Sequence, residues 1–112
     1  MEQSCYWAKI AGQNGIMDAL NLYGVLIKDS NPIDAFEAFK NSYKGKDYYG
    51  RRNYADALRD GMGCEKDLAL SSRIYMEGCE DEDLYCMYHL GVVLFENDVT
   101  INLTDAQLKG ES

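Results

Sequence analysis

The chain has 112 residues, 46% of them hydrophobic and 12% aromatic, which suits one folded domain with a modest core and excludes a disordered chain. Its formal net charge of −8 repels a nucleic-acid backbone at long range, so no nucleic-acid partner is expected. No apolar stretch reaches the roughly 18 residues of a membrane span, and "MEQSCYWAKI" has neither the basic start nor the apolar core of a secretory signal; the expectation is a cytoplasmic protein with reduced cysteines and no membrane partner.

Helical periodicity runs along the chain and strand alternation is almost absent. "CYWAKIAG" opens it. In "DALNLYGVLI", Ala19, Leu22, Tyr23 and Leu26 share a face. In "DSNPIDAFEAFKNSY", Asn31 suits a helix cap, Pro32 the first helical position and Asp34 the first turn. Ala35, Phe36, Phe39 and Tyr43 then form the apolar stripe. "YYGRRNYADALRDG" places Tyr54, Ala55 and Leu58 on one face. Asp67 caps "LALSSRIYMEG"; "DLYCMYHLGVVLFEN" follows, and "TDAQLKG" starts a last helix. About six or seven helices with short links predict an all-α fold.

The helices repeat. Leu90, Gly91 and Leu94 fall on Tyr54, Ala55 and Leu58 at an offset of 36 residues, and Tyr54 falls on Tyr23 at an offset of 31. "AFEAFKNSY" aligns with "SSRIYMEGC", and the opening "CYWAKIAG" with both. The organisation is a single domain: a half repeat over about 1–15, repeats over about 16–46 and 47–82, and a partial repeat over about 83–112. Each unit is a helix hairpin whose small residue, Gly24, Ala55 or Gly91, admits a close partner helix.

"DGMGCEKD", residues 60–67, sits between two such helices. A phosphate cradle needs a preceding strand and a Lys-Ser or Lys-Thr pair after the glycines, and neither is present. The stretch reads instead as a tight corner. Gly61 ends one helix in the left-handed conformation, Gly63 permits close approach, Cys64 points inward as a small hydrophobe, and Asp67 caps the next helix.

These residues resemble Sel-one-like repeats, relatives of the tetratricopeptide repeat. "YADALRDGMGCEKD" supplies Ala55, Leu58, Gly61, Gly63 and Asp67 in the family's register, with Cys64 where Val is usual. Ile74 and Tyr75 stand at the family's aromatic pair; "HLGVVL" supplies Leu90 and Gly91, and "NLYGVLI" supplies Tyr23 and Gly24. Only the second unit carries the glycine corner, and the third loses it at "ENDVTIN". The resemblance implies a short right-handed α-α superhelix of antiparallel helix pairs. It also implies an adaptor or scaffold, of a kind often bacterial, that holds a peptide or protein partner on its concave face.

On the repeat register, the concave stripe consists of Asp18, Asn21, Val25 and Lys28, then Tyr49, Arg52, Asp56 and Arg59, then Tyr85, Tyr88, Val92 and Phe95. His89 lies beside it. Tyr and Arg dominate binding hot spots, and the stripe changes from polar to mixed charge to aromatic. For Val92 and Phe95 the competing reading is packing against the last short helix. The acidic run "EGCEDED", residues 77–83, reads either as a solvated turn or as an electrostatic docking patch.

Cys79 and Cys86 flank the turn between the second and third units; free buried thiols are expected. The resemblance offers a disulfide as the alternative, because a cysteine-rich secreted branch of the family bridges nearly these places. His89, three residues from Cys86, does not complete a four-ligand zinc set, and no Ser-x-x-Lys or paired acid and base is present. No catalytic residue, metal or cofactor is therefore expected. Two other classes stay open: an immunity or inhibitor protein with an acidic blocking surface, and a β-lactam-type hydrolase suggested by the cysteine-rich branch. Half-finished repeats at both ends lead to a further expectation, weak self-association through the terminal helices.

Overall fold

The computed structural model describes residues 3–97. Six helices follow in order: α1 (Gln3–Gln13), α2 (Met17–Ile27), α3 (Pro32–Lys44), α4 (Tyr48–Asp60), α5 (Leu68–Glu80) and α6 (Leu84–Asn97). The described residues contain no strand, and the fold is all-α. The helix expected in "TDAQLKG" lies outside the described residues.

Local chemistry sets the ends. Asn31 Oδ1 accepts from the Asp34 N–H at 3.1 Å, with Pro32 at the first helical position of α3. Asp47 caps α4 by accepting from the Gly50 N–H at 2.8 Å, and Asp67 caps α5 by accepting from Leu70 at 3.0 Å. The corner after α4 is as the sequence indicates. Gly61 takes the left-handed conformation (φ 72°), and its N–H bonds to the Ala57 carbonyl at 2.8 Å. Gly63 has φ 75°, and a Cβ there would stand 2.0 Å from the Pro32 carbonyl oxygen, so the corner presses against the start of α3. Cys64 is half-buried against the core, its Sγ 3.5 Å from the Ala57 carbonyl.

Each helix packs on the next in sequence, and α4 also touches both α2 and α6. The second helices, α3 and α5, make no such approach to each other. The core runs through the stack as Ile27, Ala35, Phe39, Tyr54, Ala55, Leu58, Ile74, Tyr75, Cys86, Leu90 and Val93. Gly24 is indispensable to one layer of it: a Cβ there would meet the Phe39 ring at 2.6 Å. Ala55 is fully buried under α5, where Ser71 Oγ donates to its carbonyl at 2.8 Å. Gly91, the third small residue, has no described residue within 4 Å of where a Cβ would stand.

One stripe departs from expectation. In α2, Ala19 and Tyr23 turn partly inward, but Leu22 and Leu26 are exposed. The Phe39 ring fills the space over Gly24, so α2 buries the Gly24–Ile27 side and leaves its leucines out.

Candidate functional site

The expected concave stripe lies on α2, α4 and α6, the three helices that touch in series. Its members divide into two kinds. Some are committed to holding the helices together, and the rest face solvent.

Arg52, Asp56 and Arg59 belong to the first kind. Arg52 reaches from α4 to the residue just before α6: its Nη2 and Nε donate to Asp83 Oδ1 and Oδ2 at 2.7 and 3.1 Å. Asp83 is fully buried, and it also accepts from the Tyr85 N–H at 3.1 Å and from Cys86 Sγ at 3.1 Å. Burial works to raise the Asp83 pKa, but the Arg52, Cys86 and Tyr48 hydrogen bonds outweigh it and hold the carboxyl below the usual range. Arg52 also lies over the rings of Tyr48, Tyr85 and Tyr49, with centroid distances of 4.6, 4.8 and 5.3 Å.

One turn on, Asp56 accepts short hydrogen bonds from the hydroxyls of Tyr75 on α5 and Tyr85 on α6. Burial, followed by the Asp56 contact, pushes both tyrosines above their ordinary pKa and keeps them protonated. Arg59 closes the row. Its Nη1 donates to His89 Nδ1 at 2.6 Å and to the Tyr75 hydroxyl at 3.2 Å, while Nε and Nη2 grip Asp60 at 2.9 and 3.1 Å. Arginine has no acceptor, so Nδ1 accepts and the imidazole is neutral. Burial lowers the His89 pKa, in keeping with that state. The His89 ring packs on Tyr85, Tyr88 and Tyr75 at centroid distances of 4.2, 5.1 and 5.8 Å.

The solvent-facing members are Asp18, Val25, Lys28, Tyr49, Tyr88 and Phe95; Asn21, Tyr85 and Val92 are half-buried. Asn21 Oδ1 accepts from Asn53 Nδ2 at 2.8 Å, which ties α2 to α4. Tyr49 is 57% exposed and Phe95 90% exposed. The network therefore forms a stiff floor from which a few apolar side chains stand out.

The acidic turn is less free than either sequence reading of it. Asp83 is interior, Asp81 pairs with Arg51 Nη1 at 2.5 Å, and Glu77 accepts from the Tyr43 hydroxyl at 2.6 Å. Alignment of helix starts carried the missed signal: Asp83 occupies the capping place of Asp47, 36 residues on. The roles of Tyr75 and Arg51 were missed because their partners are distant in sequence; Tyr48 was missed although its partner Arg52 is only one turn away.

Burial pushes Cys86 up to about 12 and raises Cys79 and Cys64, so these thiols are poor nucleophiles. Cys79 and Cys86 are not bridged. No group of three His, Cys, Asp or Glu among the described residues is placed to hold a metal. A cleft of about 440 Å³ opens beside Tyr43, Lys46, Tyr48, Arg51 and Asp81; its Arg51 is already paired with Asp81, and Glu77 and Asp47 in its lining are engaged by the Tyr43 hydroxyl and the Gly50 N–H. A shallower hollow of about 370 Å³ lies over Met87, Tyr88, Gly91, Val92, Phe95 and Glu96. No helix of the described residues is long and apolar enough to cross a membrane.

No family model, curated protein or solved structure matches the chain.

Proposed function

We propose that this protein is a non-enzymatic binding module whose α2–α4–α6 face holds a peptide or protein partner. The six helices are read as a short right-handed solenoid of Sel-one-like type. Contact of the first helices in series, with α3 and α5 apart, supports that reading, as do the Gly61–Gly63 corner and the Asp67 cap. The observation that carries the function is the pairing of rigidity with exposure. Val25 and Tyr49 project from helices locked by the Asn53–Asn21 bond and the Arg52–Asp83 pair. Exposed aromatic and aliphatic groups on a preorganised floor bind without a large ordering cost.

The test is capture of a partner from the source lysate by wild type beside a Val25→Asp, Tyr49→Ala variant. Both side chains are exposed, so circular dichroism should show an unchanged fold. Loss of the captured protein with the variant supports the reading; retention places the contact elsewhere. Inhibition of a toxin or enzyme by the same face is the second reading, favoured by the −8 net charge. An active-site target among the captured proteins would select it.

A further inference from the structure

The α4–α6 contact is a template for what should lie on α6. At the offset of 36, Arg52, Ala55 and Arg59 of α4 correspond to Tyr88, Gly91 and Phe95 of α6. On α4 these positions are covered: Arg52 by Asp83, Ala55 by Ser71 of α5, and Arg59 by His89. On α6 no described residue covers them: Tyr88 is 68% and Phe95 90% exposed, and no described residue stands over Gly91.

The other end of the molecule carries the counterpart. By the combined offset of 67, the covering residues Asp83 and His89 map back to Ile16 and Leu22, Ser71 maps to Ser4, and Ile74, buried on the same helix as Ser71, maps to Trp7. Trp7, Ile16 and Leu22 are exposed, at 62%, 56% and 47%. The polar pair Arg52–Asp83 thus becomes Tyr88 facing Ile16, and Arg59–His89 becomes Phe95 facing Leu22. Both halves of each contact change from charged or polar to apolar together. Trp7, at the place of the buried Ile74, supplies a large ring on the helix that would cover α6. Charge agrees as well: α1 holds one charged residue, Lys9, and α6 one acid, Glu96, in a protein of net charge −8.

We infer that two copies of this chain associate head to tail, with α1 and the start of α2 of one copy seated on α6 of the next as α5 and α6 sit on α4. The contact uses a different surface on each copy, so it can extend beyond a dimer or close into a ring. Its few apolar side chains put it at the small end of specific interfaces, with a Kd on the order of 10–1,000 µM. Salt should strengthen it by screening the repulsion of like-charged copies.

Sedimentation equilibrium over that range tests this with two end-blocked variants. Trp7→Ala, Ile16→Asp disables the front; the new aspartate gives α2 the cap that Asp47 gives α4, so the fold is kept. Phe95→Glu disables the back at a nearly fully exposed site. The expected result is a wild-type mass that rises past the dimer, each variant monomeric, and an equimolar mixture that stops at a dimer. A monomeric wild type overturns the proposal, whether residues 98–112 or nothing holds the α6 face. Association of either variant alone, or a monomeric mixture, overturns it too. The Val25→Asp, Tyr49→Ala variant should still self-associate, which separates this contact from the proposed partner face.

Discussion

Replacing Asp83 by alanine removes the fully buried carboxylate that ties Arg52 of α4 to the start of α6. The change deletes a capping contact to the Tyr85 N–H and both bonds to Arg52, and it takes the nearest acid from Arg51 Nη2, 3.6 Å away. Loss of a helix cap costs about 1 kcal/mol. Breaking a fully buried ion pair from one side costs about 3–5 kcal/mol, but the Arg52 side chain keeps 23% exposure and can turn toward water. The sum should be about 3 kcal/mol, a large part of the roughly 5–15 kcal/mol that holds a domain together. In a chain of this size that lowers Tm by roughly 10–20 °C. Asp81→Asn is the matched control: its pair with Arg51 is short, but the Asp81 side chain is 65% exposed, and such pairs are worth under about 1 kcal/mol. Urea denaturation followed by circular dichroism measures both. Equal losses for the two variants would refute the argument that Asp83 is the interior link.

Gly24→Ala should destabilise by about 1–3 kcal/mol because its Cβ meets the Phe39 ring at 2.6 Å, whereas Gly91→Ala, with open space, should gain up to about 1 kcal/mol of helix propensity. A loss at Gly91 would show that its face is already filled. Gly63→Ala should cost more than about 1 kcal/mol, since it combines a left-handed φ with a clash against the Pro32 carbonyl; a neutral result would dismiss the close corner. Asp83 has a depressed pKa in the fold, so its stabilisation is full above the unfolded carboxylate value of about 4 and is lost as pH falls through the folded value. The stability gap between wild type and Asp83→Ala should therefore narrow in acid. His89 has a lowered pKa, so the unfolded chain takes up the proton first as pH falls through about 6.5, and wild type should lose stability there while His89→Gln does not. Cys86, pushed up to about 12 and buried, should resist alkylation at pH 8 until the chain unfolds, as mass spectrometry of labelled peptides would show.

The helices were legible in the sequence because their caps are local. Asn31, Asp47 and Asp67 each act on an N–H three residues away. The corner was legible for the same reason, through Gly61 and Gly63. The sequence register placed the expected stripe on α2, α4 and α6, helices that do touch. It could not show which stripe residues would be consumed by the next unit. Arg52, Asp56 and Arg59 resemble hot-spot residues in sequence, yet each finds a partner about 16 to 31 positions away, a distance no local pattern reports. Asp83 was hidden differently: it stands in an acidic run whose other acids, Glu77, Glu80, Asp81 and Glu82, are exposed.

The most direct test of the binding account is photo-crosslinking from single positions of the full chain. A benzophenone side chain at Tyr49, on the proposed face, is compared with one at Arg73, exposed on α5. The account predicts that a protein in the source lysate is captured from position 49 and not from position 73. Equal capture from both positions, or capture from position 73 alone, would contradict it.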